Sequence, residues 1–293
     1  MVEADAAPLP GHNRGAMRAS RPSADAGTVN DRRSAEAWPA GRVLVVAATY
    51  NESETIDALI DRVLAADAGL QLLVVDDDSP DGTGSRVIER AAREPRLHAL
   101  VRRGRRGLGG AIREAFLEAA ERGFAVAVNI DGDLSHDPAD IPRILVALEP
   151  PGGRPVDVAL GSRRVAGGSI VGWPWGRHVS SRAVGWFTRF VLGVPVRDGS
   201  TGFRAVRLST FRLLPDAMPT GYAFFEAMLL AVHRRGGRIV EVPITFTERR
   251  HGRSKARPGV VAAATRDLLR LALRRDAGLR RSAAPSTGQR DDR

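Results

Sequence analysis

Short apolar segments that alternate with amphipathic ones constrain the fold of this chain more than any other feature. Four of the apolar segments have the length of buried strands: RVLVVAA (42–48), LQLLVVD (70–76), LHALV (97–101) and FAVAVNI (124–130). The residues between them have the apolar spacing of helices, over 56–64, about 83–93 and about 108–121. VDVALGS (156–162) predicts a fifth strand. Repeated strand–helix units predict one Rossmann-like α/β domain, with a mostly parallel sheet covered by helices on both faces.

The predicted domain spans residues 41–257, and the two ends of the chain have a different composition. Residues 1–40 and 282–293 lack apolar periodicity, which predicts a disordered leader and a disordered tail. Residues 258–281 predict a basic amphipathic helix. No apolar run approaches the roughly 18–20 residues that cross a bilayer, and the N-terminus lacks the apolar segment of a secretory signal. We therefore expect a cytoplasmic protein with no transmembrane span.

The basic charge is concentrated near the C-terminus. The formal net charge is +10, and residues 249–293 contain thirteen basic residues against four acidic ones. Such a segment is suited to nucleic acid, anionic lipid or phosphorylated substrates. The chain has no cysteine, which excludes disulfides and thiolate metal sites.

Polar clusters follow the first, second and fourth predicted strands. They are TYNES (49–53), DDDSPDGTG (76–84) and DGDLSHDP (131–138). Ligands of such sheets bind outside the carboxyl ends of the strands. We therefore expect the three clusters to form one rim around a ligand.

Asp131 and Asp133 flank Gly132 at a predicted strand end, so both carboxylates can point towards one position. Two carboxylates with open coordination positions suit Mg²⁺ or Mn²⁺, which then accept substrate phosphates. The alternative is a solvated Asp–Gly turn before the next helix. Asp76 and Asp77 have two interpretations as well, as ligands of a ribose or base and as helix caps.

GRRGLGGAIREAF (104–116) is rich in glycine, but it is not a dinucleotide-binding motif, because Ile112 occupies the position of the last glycine. Its glycines would let a ligand approach the backbone, and Arg105 and Arg106 add positive charge. We interpret this segment as a weak element of a donor site.

Seven segments occur in the order of a known family: TYNE, VVDDDSPDGTG, GLGGA, DGDLSH, GSR, STGFRA and ITFTERRHGRSKA. Between Val43 and Ala256 the chain resembles the dolichol-phosphate (polyprenol-phosphate) mannose synthases, which are inverting family-2 glycosyltransferases with the GT-A fold. It departs from the family pattern at four places: Ala48 for Pro, Arg106 for Asn, Gly132 for Ala, and Glu226 beside Ala227, where relatives have the acid.

The resemblance implies roles for particular residues. Those implied for the nucleotide sugar are Thr49, Tyr50, Glu52, Asp76, Asp77, Gly109, Asp131 and Asp133. Those implied for the metal are Asp131, Asp133 and Ser135, the last standing where many relatives have Gln. Those implied for the acceptor phosphate are Arg163, Arg249 and Lys255, which with the two aspartates form the expected catalytic set. Lys255 is the only lysine among 44 basic residues, which favours a site that requires a compact ammonium group, although chance is the alternative.

The activity implied by the resemblance is transfer of mannose from GDP-mannose to a polyprenyl monophosphate, with Mg²⁺ or Mn²⁺ as cofactor. Transfer of glucose or an N-acetylaminosugar from a UDP-sugar is the alternative within the enzyme class. A basic protein that binds nucleic acid, or a non-catalytic protein that binds lipid, is the alternative from other classes. The acidic rim disfavours nucleic acid, so we expect no nucleic-acid partner.

Two segments are suited to a membrane surface. Residues 170–194 contain three of the four tryptophans together with arginines, and residues 259–281 place arginines at i, i+4 and i+8. We expect these amphipathic interface helices to bind the anionic inner face of the plasma membrane, and an integral membrane partner there is a further hypothesis. The alternative is that both helices only pack on the sheet.

Overall fold

The computed structural model describes residues 42–248 and 258–273. The strands are β1 Val43–Thr49, β2 Leu70–Asp76, β3 Leu97–Val101, β4 Val126–Asp131, β5 Val158–Ser162, β6 Ser169–Val171, β7 Arg204–Arg207, β8 Ile239–Pro243 and β9 Thr245–Thr247. The helices are α1 Ile56–Ala66, α2 Thr83–Ala91, α3 Leu108–Glu121, α4 Ile141–Val146, α5 Trp175–Trp186, α6 Leu208–Phe211, α7 Phe224–Arg234 and α8 Pro258–Leu273.

Seven strands form the central sheet in the order β3-β2-β1-β4-β7-β5-β8, and β6 pairs with β9 in a small second sheet. β7 is antiparallel to both of its neighbours, β4 and β5, and the other pairs of the central sheet are parallel. This confirms the predicted mostly parallel α/β sheet. Since β4 and β5 are both antiparallel to β7, they run in the same direction and end at the same edge.

Alternate side chains of the sheet form two cores, as expected when both faces are covered. Leu44 and Val46 of β1 belong to the core on the side of α3 and α7. Val45 and Ala47 belong to the core on the side of α1 and α4. β1 is therefore apolar on both faces, and the polar residues of the rim follow the strands at their carboxyl ends.

The sequence located the first half of the fold closely. The bounds predicted for β2, β3 and α3 are those observed, β4 extends to Asp131, and α2 ends at Ala91. In the second half, α5 and α8 fall within the segments predicted as amphipathic helices, whereas β7 and α7 were not predicted as elements. Within the described residues no helix is long and apolar enough to cross a membrane.

Several predictions fall on residues that the structure does not describe. These are the disordered leader, the disordered tail, the acceptor residues Arg249 and Lys255, and the part of the C-terminal helix beyond Leu273. The described part of that helix, α8, buries Leu268 in the core beside α7 but leaves Leu273 81% exposed.

Candidate donor and acceptor site

The strand register brings the predicted polar clusters to one edge of the sheet. Thr49 at the end of β1 pairs with Asp76 on β2, and Ala48 pairs with Asp131 on β4. Because all three strands are parallel, the residues that follow them share the carboxyl edge. The predicted rim is therefore present in the structure.

Asp131 and Asp133 lie at the end of β4 on this rim. The Asp133 side chain is buried, and its Oδ1 accepts a hydrogen bond of 3.0 Å from the Ser135 backbone N–H. The Ser135 Oγ is buried without a hydrogen-bond partner. A Cβ on Gly202 would lie 2.4 Å from the Asp131 Oδ1, so only glycine lets this loop lie against the carboxylate. Two carboxylates and an unpartnered hydroxyl provide the oxygen ligands that Mg²⁺ and Mn²⁺ prefer.

The described residues contain no group of three or more His, Asp or Glu side chains arranged to hold a metal ion. Two carboxylates supply only part of the coordination that a hard divalent cation requires. The arrangement fits a cation whose remaining ligands are water and substrate phosphates, and it does not fit a metal bound by protein alone.

His136 lies beside Asp131 and is almost fully buried. Its Nδ1 is 3.4 Å from the Asp131 Oδ2, and its ring packs against Phe203 and Phe246. Burial lowers the pKa of His136, while the charge of Asp131 opposes this shift. The imidazole is therefore neutral at pH 7 and adds no positive charge to the rim.

The nucleotide positions on β1 and β2 already have partners within the protein. Thr49 Oγ1 donates to Asp76 Oδ1 at 3.0 Å, and Asp77 accepts hydrogen bonds of 2.8 Å from both the Arg102 Nη1 and the Gly107 N–H. Burial raises the pKa of Asp77, although the Gly107 and Arg102 donors lower it. The two aspartates thus fix the loops around the rim, and their contact with a nucleotide stays a prediction.

Gly109 has a packing function that the sequence did not indicate. A Cβ at this position would lie 2.5 Å from the Phe224 Cβ and 2.7 Å from the Gly221 carbonyl oxygen. Its small size therefore lets α3 pack closely on the start of α7.

Glu52 is buried on the rim, and its backbone N–H donates to the Thr83 Oγ1 at 3.0 Å.

Arg163 follows β5 and so lies at the same edge as Asp131. Its Nε and Nη2 donate to the two oxygens of Asp198 at 2.7 and 2.6 Å, and its backbone N–H donates to Asp198 at 2.9 Å. Burial would raise the pKa of Asp198, but these Arg163 hydrogen bonds outweigh it, so the pKa is lowered. Asp198 therefore stays ionised and holds the guanidinium in one orientation.

Several buried hydrogen-bond donors lie in the segment that follows Arg163. The Arg163 and Arg177 guanidinium carbons lie 5.0 and 4.4 Å from the centre of the Trp173 ring. The buried donors without a hydrogen-bond partner here are Trp173 Nε1, Ser181 Oγ, and Nε and Nη2 of Arg164. Ser181 lies four residues after Arg177 and thus on the same face of α5. This concentration of unpaired donors suits an anion.

Glu226 is buried, and its Oε2 has no hydrogen-bond partner. Arg204 on β7 is fully buried and donates hydrogen bonds of 3.2 Å to the carbonyl oxygens of Phe225 and Gly199. Burial lowers the pKa of Arg204 to about 10, with Glu226 opposing, and burial raises the pKa of Glu226 to about 7. The Coulomb interaction with Arg204 thus partly offsets the burial of the Glu226 carboxyl.

Residues 44–214 match the family described as glycosyl transferase family 2. The chain belongs to this family. It is a glycosyltransferase, as the ordered motifs predicted, and its acidic rim lies at the sheet edge where ligands bind.

Curated relatives of this family-2 glycosyltransferase carry similar names. The chain is 43% identical to undecaprenyl-phosphate mannosyltransferase of Micrococcus luteus, over 79% of this chain and 94% of the relative. It is 40% identical to polyprenol monophosphomannose synthase of Mycolicibacterium smegmatis, over 74% and 82% of the two chains. A dolichol-phosphate mannosyltransferase of Pyrococcus furiosus is 32% identical over 78% of this chain and 63% of the relative. The predicted resemblance is confirmed.

A solved structure supports the fold of the glycosyltransferase. Glucosyl-3-phosphoglycerate synthase from Mycobacterium tuberculosis, in complex with Mn²⁺, UDP-glucose and phosphoglyceric acid, has a TM-score of 0.62 and 21% identity. The similarity covers 81% of this chain and 82% of that chain. It confirms the GT-A-like α/β fold.

Sequence analysis missed several residues of the glycosyltransferase site. Gly202 and Arg204 belong to the motif STGFRA (200–205), and Asp198 lies two residues before it, but none of the three was given a role. An acid just before a motif that contains glycine and arginine was the available signal. Trp173 and Ser181 had no signal beyond their place in an aromatic segment.

Proposed function

We propose that this glycosyltransferase transfers mannose from GDP-mannose to a polyprenyl monophosphate, with inversion, and forms polyprenyl-phosphate mannose. The names of the three curated relatives support both the sugar and the acceptor. The observation that carries the proposal is that one sheet edge presents carboxylates at one strand end and hydrogen-bond donors at another. Asp131 ends β4 and Asp133 follows it, whereas Arg163 and Arg164, whose Nε and Nη2 have no hydrogen-bond partner, follow β5. One side suits a metal-bound diphosphate and the other suits a lipid phosphate.

On the donor side, Asp131, Asp133 and the Ser135 hydroxyl would hold Mg²⁺ or Mn²⁺. When bound, the cation would stabilise the negative charge that develops on the diphosphate leaving group. Neutral His136 would pack beside Asp131, since its Nδ1 is 3.4 Å from that carboxylate. Thr49, Tyr50, Glu52, Asp76, Asp77 and Gly109 remain the predicted surroundings of the nucleotide.

On the acceptor side, Arg163 would hold the phosphate of the lipid. An oxygen of this phosphate attacks C1 of mannose, the new bond forms, and the bond from C1 to the diphosphate oxygen breaks, releasing GDP. A phosphate monoester is already ionised at pH 7, because its second pKa is about 6, so the attack requires no general base. Arg163, with Arg249 and Lys255 as predicted partners, would reduce the repulsion between the two anionic substrates.

The acceptor is a membrane lipid, and the exposed side chains around α5 support binding to the membrane surface. Trp175, Trp186 and Phe190 are 81%, 60% and 64% exposed. Their exposure supports a role besides packing on the sheet, which is the alternative interpretation. Trp favours the headgroup region of a bilayer, and arginines of the same segment suit anionic lipid. We propose a peripheral protein on the cytoplasmic face of the plasma membrane; an integral membrane partner at this surface remains a hypothesis.

We expect replacement of Trp175, Trp186 and Phe190 by Ser to weaken binding to anionic vesicles by at least about tenfold, which corresponds to the loss of about 1.4 kcal/mol. The measurement is co-sedimentation with vesicles containing phosphatidylglycerol. Val146 and Leu213, exposed by 67% and 58% on other parts of the protein, provide the matched control when both are changed to Ser. Equal binding by the two variants would refute a membrane-binding role for α5.

The proposed reaction is tested by incubating the purified protein with vesicles that contain polyprenyl phosphate. GDP-mannose, UDP-glucose and UDP-N-acetylglucosamine are supplied separately with Mg²⁺ or Mn²⁺, and the lipid product is identified by mass spectrometry. We expect mannosyl lipid from GDP-mannose alone. Product formed only from a UDP-sugar would establish the alternative donor class, and no product from any donor would favour a non-catalytic role.

A further inference from the structure

Arg106, on the donor side of the rim, contacts the ring of Tyr50. The Arg106 guanidinium carbon lies 4.5 Å from the centre of the Tyr50 ring, and the Arg106 side chain is exposed. Neighbouring arginines of the same loop are paired with carboxylates: Arg102 with Asp77 at 2.8 Å, and Arg105 with Glu114 at 3.1 Å. Within the described part of the chain, Arg106 forms no such ion pair.

The backbone that carries Arg106 is fixed to the rim. Asp77 accepts hydrogen bonds from Arg102 and from the Gly107 N–H, so one carboxylate holds both ends of the segment between them. Gly107 has a φ of +137°, and a Cβ there would lie 2.9 Å from the Thr220 carbonyl oxygen. The segment is therefore restrained at this glycine, while the exposed Arg106 side chain can change its position.

In the strand register, Tyr50 lies close to two predicted ligand positions, Asp76 and Asp131. It directly follows Thr49, which pairs with Asp76, and it is two residues from Ala48, which pairs with Asp131. A bound nucleotide that contacts Asp76 or Asp77 and extends its diphosphate towards Asp131 would pass Tyr50. Arg106 would then be an unpaired cation next to the diphosphate.

The two possible contacts of Arg106 differ in strength. A cation held over an aromatic ring at an exposed site is weakly bound. Hydrogen bonds between a guanidinium and phosphate oxygens are charge-assisted and stronger. Bound diphosphate should therefore draw the guanidinium away from the ring.

We propose that Arg106 is a donor-binding residue that leaves the Tyr50 ring to bind the diphosphate of the nucleotide sugar. This inference rests on the proposed use of a nucleoside diphosphate sugar and identifies a residue that recognises its phosphates. The exchange uncovers the face of the Tyr50 ring that Arg106 occupies without donor.

The movement can be followed at Tyr50 directly. The chain contains two tyrosines, so Tyr222→Phe protein labelled with 3-fluorotyrosine gives a single ¹⁹F resonance from Tyr50. We expect GDP with Mg²⁺ to shift this resonance towards the position it has in the Arg106→Gln variant without nucleotide. A resonance that is unchanged by Arg106→Gln would show that the guanidinium does not contact the ring, and would overturn the proposal.

Affinities measured by calorimetry test the phosphate contact. We expect Arg106→Gln to weaken GDP binding about tenfold or more and to leave guanosine binding within twofold, because guanosine lacks the diphosphate. Arg103→Gln, at an exposed arginine of the same loop, is the matched control and should leave both affinities within twofold. If Arg106→Gln weakened GDP binding by less than twofold, or weakened guanosine binding as much as GDP binding, the proposal would be overturned.

This experiment separates the proposal from the donor assignment. If the unaltered protein binds UDP and not GDP, the proposed donor is wrong, and the Arg106→Gln comparison is made with UDP and uridine. If Arg106→Gln weakened binding of UDP but not of uridine, the contact between Arg106 and the diphosphate would still be supported. If Arg106→Gln and the unaltered protein bound UDP equally well, the contact would be refuted.

Discussion

Replacement of Asp133 by Asn is expected to lower kcat for mannosyl transfer by about a thousandfold or more. An amide oxygen lacks the negative charge with which a carboxylate holds a divalent cation, and removal of electrostatic stabilisation from a reacting centre has effects of this order. The fold should be retained, because the Asn Oδ1 can accept the Ser135 N–H hydrogen bond that the Asp133 Oδ1 accepts now. The measurement is the initial rate with saturating GDP-mannose and vesicle-borne polyprenyl phosphate.

Asp137→Asn is the matched control for this prediction. Asp137 belongs to the same acidic segment, but it is exposed, pairs with Arg62 at 2.9 Å and caps the short helical turn that begins at Pro138. Asn also caps helices well, so the control should keep its structure and its rate. Similar rates for the Asp133 variant and the control would show that Asp133 is not part of the reacting centre.

Replacement of Asp198 by Asn is expected to have the largest effect on stability. Asp198 is buried and accepts three hydrogen bonds from Arg163, so the variant leaves a buried guanidinium without its counter-charge. Removal of one partner from a buried ion pair destabilises proteins by about 3–5 kcal/mol. Urea unfolding at pH 7, followed by tryptophan fluorescence, measures the change in the free energy of unfolding.

An exposed ion pair provides the comparison. Asp216 is paired with Arg113 and its side chain is 99% exposed, so Asp216→Asn should change the free energy of unfolding by less than about 1 kcal/mol. If Asp198→Asn proved as mild as this control, Arg163 would not depend on Asp198. The acceptor site would then require a different explanation.

The donor side could be predicted from sequence because its signals are local. β1, β2 and β4 are apolar segments of ordinary length, and the polar residues follow them directly. Parallel pairing then places Thr49, Asp76 and Asp131 at one edge without further information. The family motifs added roles to positions that the physical pattern had already brought together.

The acceptor side could not be predicted in this way. Arg163 and Asp198 are 35 residues apart in sequence, and no local pattern indicates their pairing. β7 has only four residues and begins with Arg204, a charged side chain at a fully buried position, which hides it from a search for apolar strands. The segment that leads into α5 has two tryptophans close together. Only the fold shows that Trp173 packs beside Arg163 while Trp175 is exposed.

Binding of Mn²⁺, followed by electron paramagnetic resonance, tests most directly whether Asp131 and Asp133 hold the cation that receives the donor diphosphate. The account predicts that GDP causes the unaltered protein to bind Mn²⁺, and that Asp133→Asn protein with the same GDP leaves Mn²⁺ in solution. Unchanged Mn²⁺ binding by the Asp133→Asn protein in the presence of GDP would contradict the account.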